Sequence, residues 1–245
     1  MRNIKLEIEY DGTRYSGWQR QKNSISIEET VENAVRKITK EDIKLIGSSR
    51  TDSGVHAKGQ VANFNTLASI PVDRFSYAIN TKLPKDIVVL NACEVPMDFH
   101  ARYSCKGKRY SYMILNREFS SPLLRNYAAH CSYKLDLESM KSAAEHFLGT
   151  HDFEAFRSTG SSVKTSIRTV SLIRLEKQDN DIIKMFIEAD GFLYNMVRII
   201  AGTLMEVGRG RISPNSIPSI IKSKNRELAG KTAPAQGLYL EKIYY

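Results

Sequence analysis

The sequence predicts an α+β protein made of two ferredoxin-like, or RRM-like, units that each follow the order β-α-β-β-α-β. Apolar and charged residues alternate from position 4 to position 10, which is typical of a half-buried strand. A capping box that begins at Ser26 then opens a stretch with helical apolar spacing. We expect domains at residues 1–97 and 98–245 that share a mostly antiparallel mixed sheet, with helices over one face.

The first copy of this order lies in the N-terminal part of the chain. Its expected strands are at 4–10, 43–46, 60–65 and 86–95, and its expected helices are at 27–39 and from Pro71 onward. Trp18, the only tryptophan, stands among Gly, Gln and Arg rather than in an apolar run. A core residue under a loop and a functional residue are both open interpretations of it.

The second copy follows residue 98 on the same plan, with one further helix before its last strand. Its expected strands are at 103–116, 170–177, 182–189 and 237–244, and its expected helices are at 137–148, 192–207 and from Pro214 onward. Residues 157–168 are rich in Ser, Thr, Gly and Lys, and we interpret them as a flexible basic loop.

Charge and cysteine content narrow the class of protein. The 245-residue chain carries 36 Lys and Arg against 27 Asp and Glu, a net charge of +9. This excess favours a polyanionic partner such as nucleic acid, with an uninvolved basic surface as the alternative. The three Cys form no CxxC pair, which argues against disulfides and zinc and favours the cytoplasm. No apolar run approaches the roughly 18 residues of a membrane span, so we expect no membrane partner.

Several cofactor and catalytic motifs are missing. The five His show neither HxxxH nor HExxH spacing, so we expect no metal. The sequence contains no GxxxxGK[ST] phosphate loop and no GxGxxG turn, so we expect no nucleotide cofactor. The GxSxG elbow of one hydrolase class is absent too, although a Ser/His/Asp hydrolase of another class stays open.

The polar loop at residues 48–57 is the strongest candidate for a site, because it lies between two predicted strands and packs Arg50, Asp52 and His56 close together. A sheet can aim catalytic groups that such a loop carries. Asp52 can then serve as nucleophile, general base or ion-pair anchor. The simpler alternative is a turn in which Asp52 bonds to the backbone and Gly54 adopts a positive φ.

Two further residues stand out. Arg198 lies among apolar residues of a predicted helix, so it is either part of a solvated face or a buried guanidinium that needs a carboxylate. Tyr110 follows Lys108 and Arg109 on a predicted strand. It is either a platform on which an unstacked base can stack or an ordinary tyrosine of a sheet face.

Eight segments occur in an order that resembles one known family over nearly the full chain. They are Tyr10-Asp11-Gly12-Thr13, Gly17-Trp18-Gln19, Arg50-Thr51-Asp52-Ser53-Gly54-Val55-His56-Ala57, Phe99-His100-Ala101-Arg102-Tyr103, Arg109-Tyr110-Ser111-Tyr112, Gly149-Thr150-His151-Asp152-Phe153, Phe192-Leu193-Tyr194-Asn195-Met196-Val197-Arg198 and Ala233-Pro234-Ala235-Gln236-Gly237-Leu238. The sequence is similar to the tRNA pseudouridine synthase A family. The block around Asp52 is highly specific to that family.

The resemblance implies an isomerase that converts uridine to pseudouridine at positions 38–40 of the tRNA anticodon stem-loop. It implies a homodimer that uses neither metal nor cofactor. Asp52 matches the catalytic carboxylate, which attacks the nucleotide at C1′ or at C6. Tyr110 matches the tyrosine that stacks on the target base, and Arg198 matches the arginine that pairs with the carboxylate and favours its ionised form.

The same resemblance assigns the remaining substrate contacts. Arg50 matches the residue that enters the RNA helix beside the extruded uridine, which must leave the stack because pairing hides its reacting atoms. Arg109 and His56 are expected to bind substrate as well. Ser49 departs from the family, which usually has Gly there, and a positive φ at this position would make Ser costly.

Three alternatives to this function stay open from the sequence. The first is a catalytically idle RNA-binding or tRNA-folding module with the same fold, although the chain retains Asp52, Tyr110 and Arg198. The second is a specialised copy of the enzyme with a narrower set of targets. The third is a hydrolase that acts on nucleic acid, which the missing metal ligands disfavour.

Overall fold

The computed structural model describes residues 1–160, 163, 165–178 and 181–245. Part of the predicted basic loop, including Lys164, and the centre of the predicted hairpin turn lie outside the described residues. Its contacts divide the chain into two compact units, Met1–Lys106 with Tyr239–Tyr245, and Gly107–Leu238. The mixed α+β class is confirmed, while the predicted domain bounds at residues 97 and 98 stay a prediction.

The first unit has the predicted order β-α-β-β-α-β. Its elements are β1 (Arg2–Tyr10), α1 (Ile27–Thr39), β2 (Ile46–Gly47), β3 (His56–Thr66), α2 (Val72–Asn80) and β4 (Ile87–Val95). Strand β1 lies between β3 and β4 and is antiparallel to both, and β2 pairs with β3. This arrangement is the ferredoxin-like sheet that the sequence predicts.

Alternation in β1 places its apolar residues on the helix side of the sheet. Ile4, Leu6 and Ile8 are fully buried. On β3, Phe64 pairs with Ile4 and meets Phe75 of α2 edge-to-face at 5.9 Å between ring centroids. The core of the first unit therefore lies between this sheet face and its helices.

Strand β2 is shorter and later than the predicted strand at 43–46. Side chains of α1 bind the backbone of the preceding residues instead of a sheet ladder. Glu32 Oε2 accepts a hydrogen bond from the Leu45 amide at 2.9 Å, and Arg36 donates to the Ile43 carbonyl. The apolar side chains of this segment are buried without forming a strand.

The last strand, β10 (Leu238–Tyr244), pairs with β3 in parallel, with Tyr239 opposite His56. Its residues from Tyr239 onward group with Met1–Lys106 rather than with Gly107–Leu238. Sequence periodicity identifies such a strand but does not show its partner.

The second unit is built on strands in the order β6-β5-β9-β8-β7, of which only β5 and β6 are parallel. Its elements are β5 (Gly107–Asn116), β6 (Ala129–Cys131), α3 (Leu137–Glu145), β7 (Gly149–Asp152), β8 (Ile167–Gln178), β9 (Ile182–Ala189), α4 (Met196–Gly208) and α5 (Ile217–Ser223). The predicted hairpin is confirmed as β8 and β9. The short strands β6 and β7 were not predicted.

Helix α4 begins four residues later than predicted, at Met196 rather than 192. Asn195 has φ 62° and ψ 5°, in the left-handed region, so the preceding residues form a turn. Tyr194 and Asn195 therefore precede α4 and are not part of the helix that carries Arg198. Within the described ranges, no helix is long and apolar enough to cross a membrane.

Candidate active site

Asp52 lies half-buried in the loop between β2 and β3, with Thr51 buried beside it and Arg50 exposed. The hydroxyls of Thr51 and Tyr10 are 2.7 Å apart, and the Trp18 amide donates to the Thr51 carbonyl at 3.1 Å. These bonds hold the residue before Asp52 from two sides. The carboxylate-bearing residue is thus attached to a fixed neighbour.

The backbone at Asp52 forms the turn that the simpler interpretation expects. The Val55 amide donates to the Asp52 carbonyl at 3.1 Å, and Gly54 has φ 77°. Ser53 Oγ donates to the Tyr15 carbonyl at 3.1 Å. The turn interpretation is therefore correct for the backbone, and it is compatible with chemistry at the Asp52 side chain.

A second loop, residues 11–18, lies directly against this turn. Gly17 has φ 100°, and a Cβ added there would lie 2.3 Å from the Thr51 carbonyl oxygen. A Cβ on Gly12 would lie 2.0 Å from the Val55 carbonyl oxygen. Both positions need glycine because backbone approaches backbone without room for a side chain. The position of Asp52 thus depends on two glycines remote from it in sequence.

Trp18 is a core residue beneath the Asp52 loop. Its side chain is buried, and its ring nitrogen would be 2.2 Å from a Cβ added to Gly47. This packing settles the two open interpretations of Trp18 in favour of the core.

His56 is almost fully buried, at 2% exposure. Its Nδ1 lies 3.1 Å from the Gly12 amide nitrogen and 3.2 Å from Oδ1 of Asp11. Its ring stacks on Tyr239 with 4.8 Å between centroids. In this position His56 connects β3 to the loop at residues 11–12, which is a structural contact.

Ser49 fits its loop without a positive φ, since it is not among the residues with left-handed backbone. Its carbonyl accepts from Gln60 Nε2 at 2.7 Å, and Gln60 Oε1 in turn accepts from Ser48 Oγ at 2.7 Å. The strain expected if this site required glycine does not occur in this chain.

Tyr110 and Arg109 point to opposite sides of β5 in the second unit. Tyr110 is 6% exposed, and its ring meets Phe192 edge-to-face at 5.2 Å. Arg109 forms an ion pair with Glu188, which is opposite it on β9. Tyr110 thus packs against Phe192 and Arg109 is partly neutralised within the unit, and the expected roles of both at the substrate stay predictions.

Arg198 is half-buried on α4 and is fixed by two hydrogen bonds within its own unit. Its Nε donates to the Ala233 carbonyl at 2.8 Å, and its Nη1 donates to Asn195 Oδ1 at 2.9 Å. Burial raises the pKa of the nearby Tyr112 hydroxyl, while the charge of Arg198 acts in the opposite direction. Tyr112 therefore stays protonated and donates to the Pro234 carbonyl at 2.7 Å.

Small residues on α4 allow the segment at 229–233 to reach Arg198. A Cβ on Gly202 would lie 1.8 Å from the Lys231 carbonyl oxygen, and Thr203 Oγ1 accepts from the Gly230 amide at 2.8 Å. Sequence reasoning assigned no role to Ala233 or Asn195. The signal that could have found Asn195 is its presence in the same motif as Arg198, whereas the motif of Ala233 contains no candidate residue.

The structure places Asp52, Arg50 and His56 in the first unit and Tyr110, Arg109 and Arg198 in the second. The expected pairing of Asp52 with Arg198 stays a prediction. Over the residues that the structure describes, no group of three or more His, Cys, Asp or Glu could hold a metal ion.

Comparison with known proteins decides the family. The family model described as tRNA pseudouridine synthase matches residues 7–104 and 143–245. This chain belongs to the tRNA pseudouridine synthase family. Asp52 lies in the first matched stretch and Arg198 in the second, whereas Arg109 and Tyr110 lie between the two.

Curated relatives match the chain from end to end. A protein named tRNA pseudouridine synthase A from Acetivibrio thermocellus is 61% identical over 245 residues, with 100% of both chains covered. A protein of the same name from Thermoanaerobacter pseudethanolicus is 55% identical, and tRNA pseudouridine synthase A 2 from Clostridium perfringens is 56% identical, again over 100% of both chains.

Gly17→Ala tests whether the backbone contact between the two loops positions Asp52. We expect the variant to lose about 1–3 kcal/mol of unfolding free energy through overpacking, with a further loss from its left-handed φ. Turnover should fall with it, because Thr51 and Asp52 must move. Urea denaturation and a pseudouridine assay measure the two effects.

Gly160→Ala is the matched control for the stability measurement. Gly160 has φ 90°, and no described atom lies within 4 Å of an added Cβ. It therefore reports the cost of the left-handed φ alone. Equal destabilisation by both substitutions would show that the contact with Thr51 is not tight.

Proposed function

We propose that this protein converts uridine to pseudouridine at positions 38–40 of the tRNA anticodon stem-loop, with Asp52 as the nucleophile. The coarser statement, that it is an enzyme that isomerises uridine in tRNA, follows from its family. The observation that supports the finer proposal is a carboxylate on a turn held against a glycine-rich loop. Such rigidity is what a positioned nucleophile needs.

The reaction is balanced without any cofactor. The bond between N1 of uracil and C1′ of the ribose breaks, the base turns, and C5 forms the new bond to C1′. C5 then loses its proton and N1 gains one, so that substrate and product are isomers. The ionised carboxylate of Asp52 forms the covalent intermediate at C1′ or at C6 and is released at the end.

The other candidate residues have distinct proposed roles. Tyr110 stacks on the extruded base, and Arg198 pairs with the carboxylate of Asp52 and orients it. Arg50, which is exposed on the loop that carries Asp52, occupies the space that the uridine leaves in the RNA helix.

Two predicted substrate contacts are less well supported by their surroundings. The burial of His56 favours a role in holding the loop rather than in touching RNA. The ion pair with Glu188 leaves Arg109 with less charge to offer a phosphate. Substrate binding by His56 and by Arg109 stays a prediction.

Asp52→Ala should abolish pseudouridine formation, by about 10⁴-fold or more, because no other group replaces a missing nucleophile. Affinity for tRNA should stay within a few fold, because a carboxylate repels phosphate and its loss therefore removes no attraction between the protein and the tRNA backbone. Release of tritium from tRNA labelled at uridine C5, with EDTA present, measures the reaction directly.

Asp73→Asn is the matched control, because it removes a carboxylate that is exposed and paired with Arg74. Its rate should equal that of the unchanged protein. Turnover by Asp52→Ala at a comparable rate would remove Asp52 from the mechanism. An unchanged protein that binds tRNA but releases no tritium would favour the idle RNA-binding module.

The proposed partner surface is basic and is shared by two subunits in the cytoplasm. The dimer rests on the resemblance, and the absence of a disulfide among Cys93, Cys105 and Cys131, all of which the structure describes, is compatible with a reducing compartment. The basic segments of this surface are residues 106–109, 164–168 and 209–211 of the sequence. The last is partly self-neutralised, because Arg209 and Arg211 both pair with Glu206.

Salt dependence tests this surface. Arg211 is 62% exposed, so we expect Arg211→Gln to weaken the log-log salt slope of tRNA binding by about 0.9 for one lost phosphate contact. Arg74→Gln, at 67% exposure outside the basic segments, is the control with an unchanged slope.

Light scattering tests the dimer and should give twice the 27.8 kDa chain mass. A monomer with full activity would contradict the dimer, and a tRNA affinity that does not vary with salt would contradict the basic surface.

A further inference from the structure

The side chain of Asn195 lies between Ser158 and Arg198. Its Nδ2 donates to Ser158 Oγ at 3.0 Å, and its Oδ1 accepts from Arg198 Nη1 at 2.9 Å. The backbone makes a parallel connection, since the Ser158 amide donates to the Tyr194 carbonyl at 3.1 Å. The turn before α4 and the segment at Ser158 are thus joined twice.

Asn195 occupies the N-cap position of α4 without performing the usual function of an N-cap side chain. An N-cap Asn normally accepts a bond from an amide of the first helical turn, which contributes about 1 kcal/mol. Here the side chain makes no capping bond. Its oxygen binds the guanidinium of Arg198 instead, so the helix end gives up a local stabilising bond.

The backbone of Asn195 adds a second unusual feature. Its φ of 62° lies in the left-handed region, which Asn tolerates better than most residues other than Gly. Strained backbone that persists in a folded chain is often found at functional sites. The left-handed turn lets the side-chain amide of Asn195 bond to Ser158 and to Arg198 at the same time.

Two bonds at different nitrogens fix the plane of the Arg198 guanidinium. Nε is bound to the Ala233 carbonyl and Nη1 to Asn195. A guanidinium is planar and carries its five N–H groups in fixed directions. Fixing the plane therefore sets where every remaining N–H group of Arg198 points.

We propose that Asn195 is a positioning residue for Arg198 in the isomerisation reaction and couples its orientation to Ser158. This inference rests on the proposed function, in which Arg198 orients the carboxylate of Asp52. A purely structural Asn195 would instead stabilise the turn and affect folding alone. The two roles differ in which measured quantity changes.

Asn195→Gly removes both side-chain bonds and keeps a residue that adopts φ 62° freely. We expect its single-turnover rate to fall by about 10- to 100-fold, as small misplacements of a reacting group do. Affinity for tRNA should stay within about threefold, and the melting temperature should stay close to that of the unchanged protein. Ser158→Ala, which removes only the outer bond, should slow the rate less.

Asn23→Gly is the matched control, because Asn23 is exposed and has φ 64° in the first unit. Its rate, affinity and melting temperature should all be unchanged. A wild-type rate for Asn195→Gly would overturn the proposal. So would a loss explained entirely by weaker tRNA binding or by unfolding at the assay temperature.

A double-mutant cycle shows whether Asn195 acts through Arg198. The Arg198→Ala variant should react slowly, so its single-turnover rate is measured in incubations of hours. Adding Asn195→Gly to this variant should change that rate by less than about twofold. An additional loss as large as that in the unchanged protein would contradict the coupling. A full rate for Arg198→Ala would refute both this proposal and the role given to Arg198. A slow Arg198→Ala beside a normal Asn195→Gly refutes this proposal alone.

Discussion

The contact between the loop at residues 11–18 and the turn at Asp52 is the constraint on which the candidate site depends. Two glycines let the backbones meet at distances that no side chain allows. Thr51 is held at the same time by Tyr10 and by Trp18. A carboxylate on an unconstrained loop would sample many positions, whereas this one is attached to a buried and bonded neighbour.

A similar principle operates independently in the second unit. Gly202 admits the backbone of the segment at 229–233, and that segment supplies the carbonyl of Ala233 to Arg198. Asn195 supplies the second acceptor from the helix start. In both units the segment that carries or contacts a candidate side chain is held where backbone approaches closely over glycine.

Local signals predicted most of the fold. Helix α1 occupies 27–39 as its capping box and apolar spacing indicated, and β9 occupies 182–189 as the hairpin pattern indicated. The misses have long-range or conformational causes. Glu32 and Arg36 capture the backbone of residues 43–45. The left-handed backbone of Asn195 makes α4 begin later than predicted. The prediction missed this because helical periodicity carries no information about the φ of a single residue.

The sequence names the candidate residues, whose roles stay predictions, but it does not name the contacts that support them. Resemblance identified Asp52, Tyr110 and Arg198 because they lie within specific motifs. Gly17 and Ala233 support these residues through contacts between segments that are far apart in sequence, and no local pattern encodes such contacts. Burial likewise separates His56 from the exposed Arg50, although both stand in one motif.

Mapping pseudouridine at single-nucleotide resolution tests the central claim most directly. Unmodified tRNA transcripts incubated with the protein, in EDTA, should acquire pseudouridine at positions 38–40 and keep uridine elsewhere. Transcripts in which these positions stay unmodified while uridines of the tRNA body react would contradict the proposed target. Transcripts without any pseudouridine would contradict the activity itself.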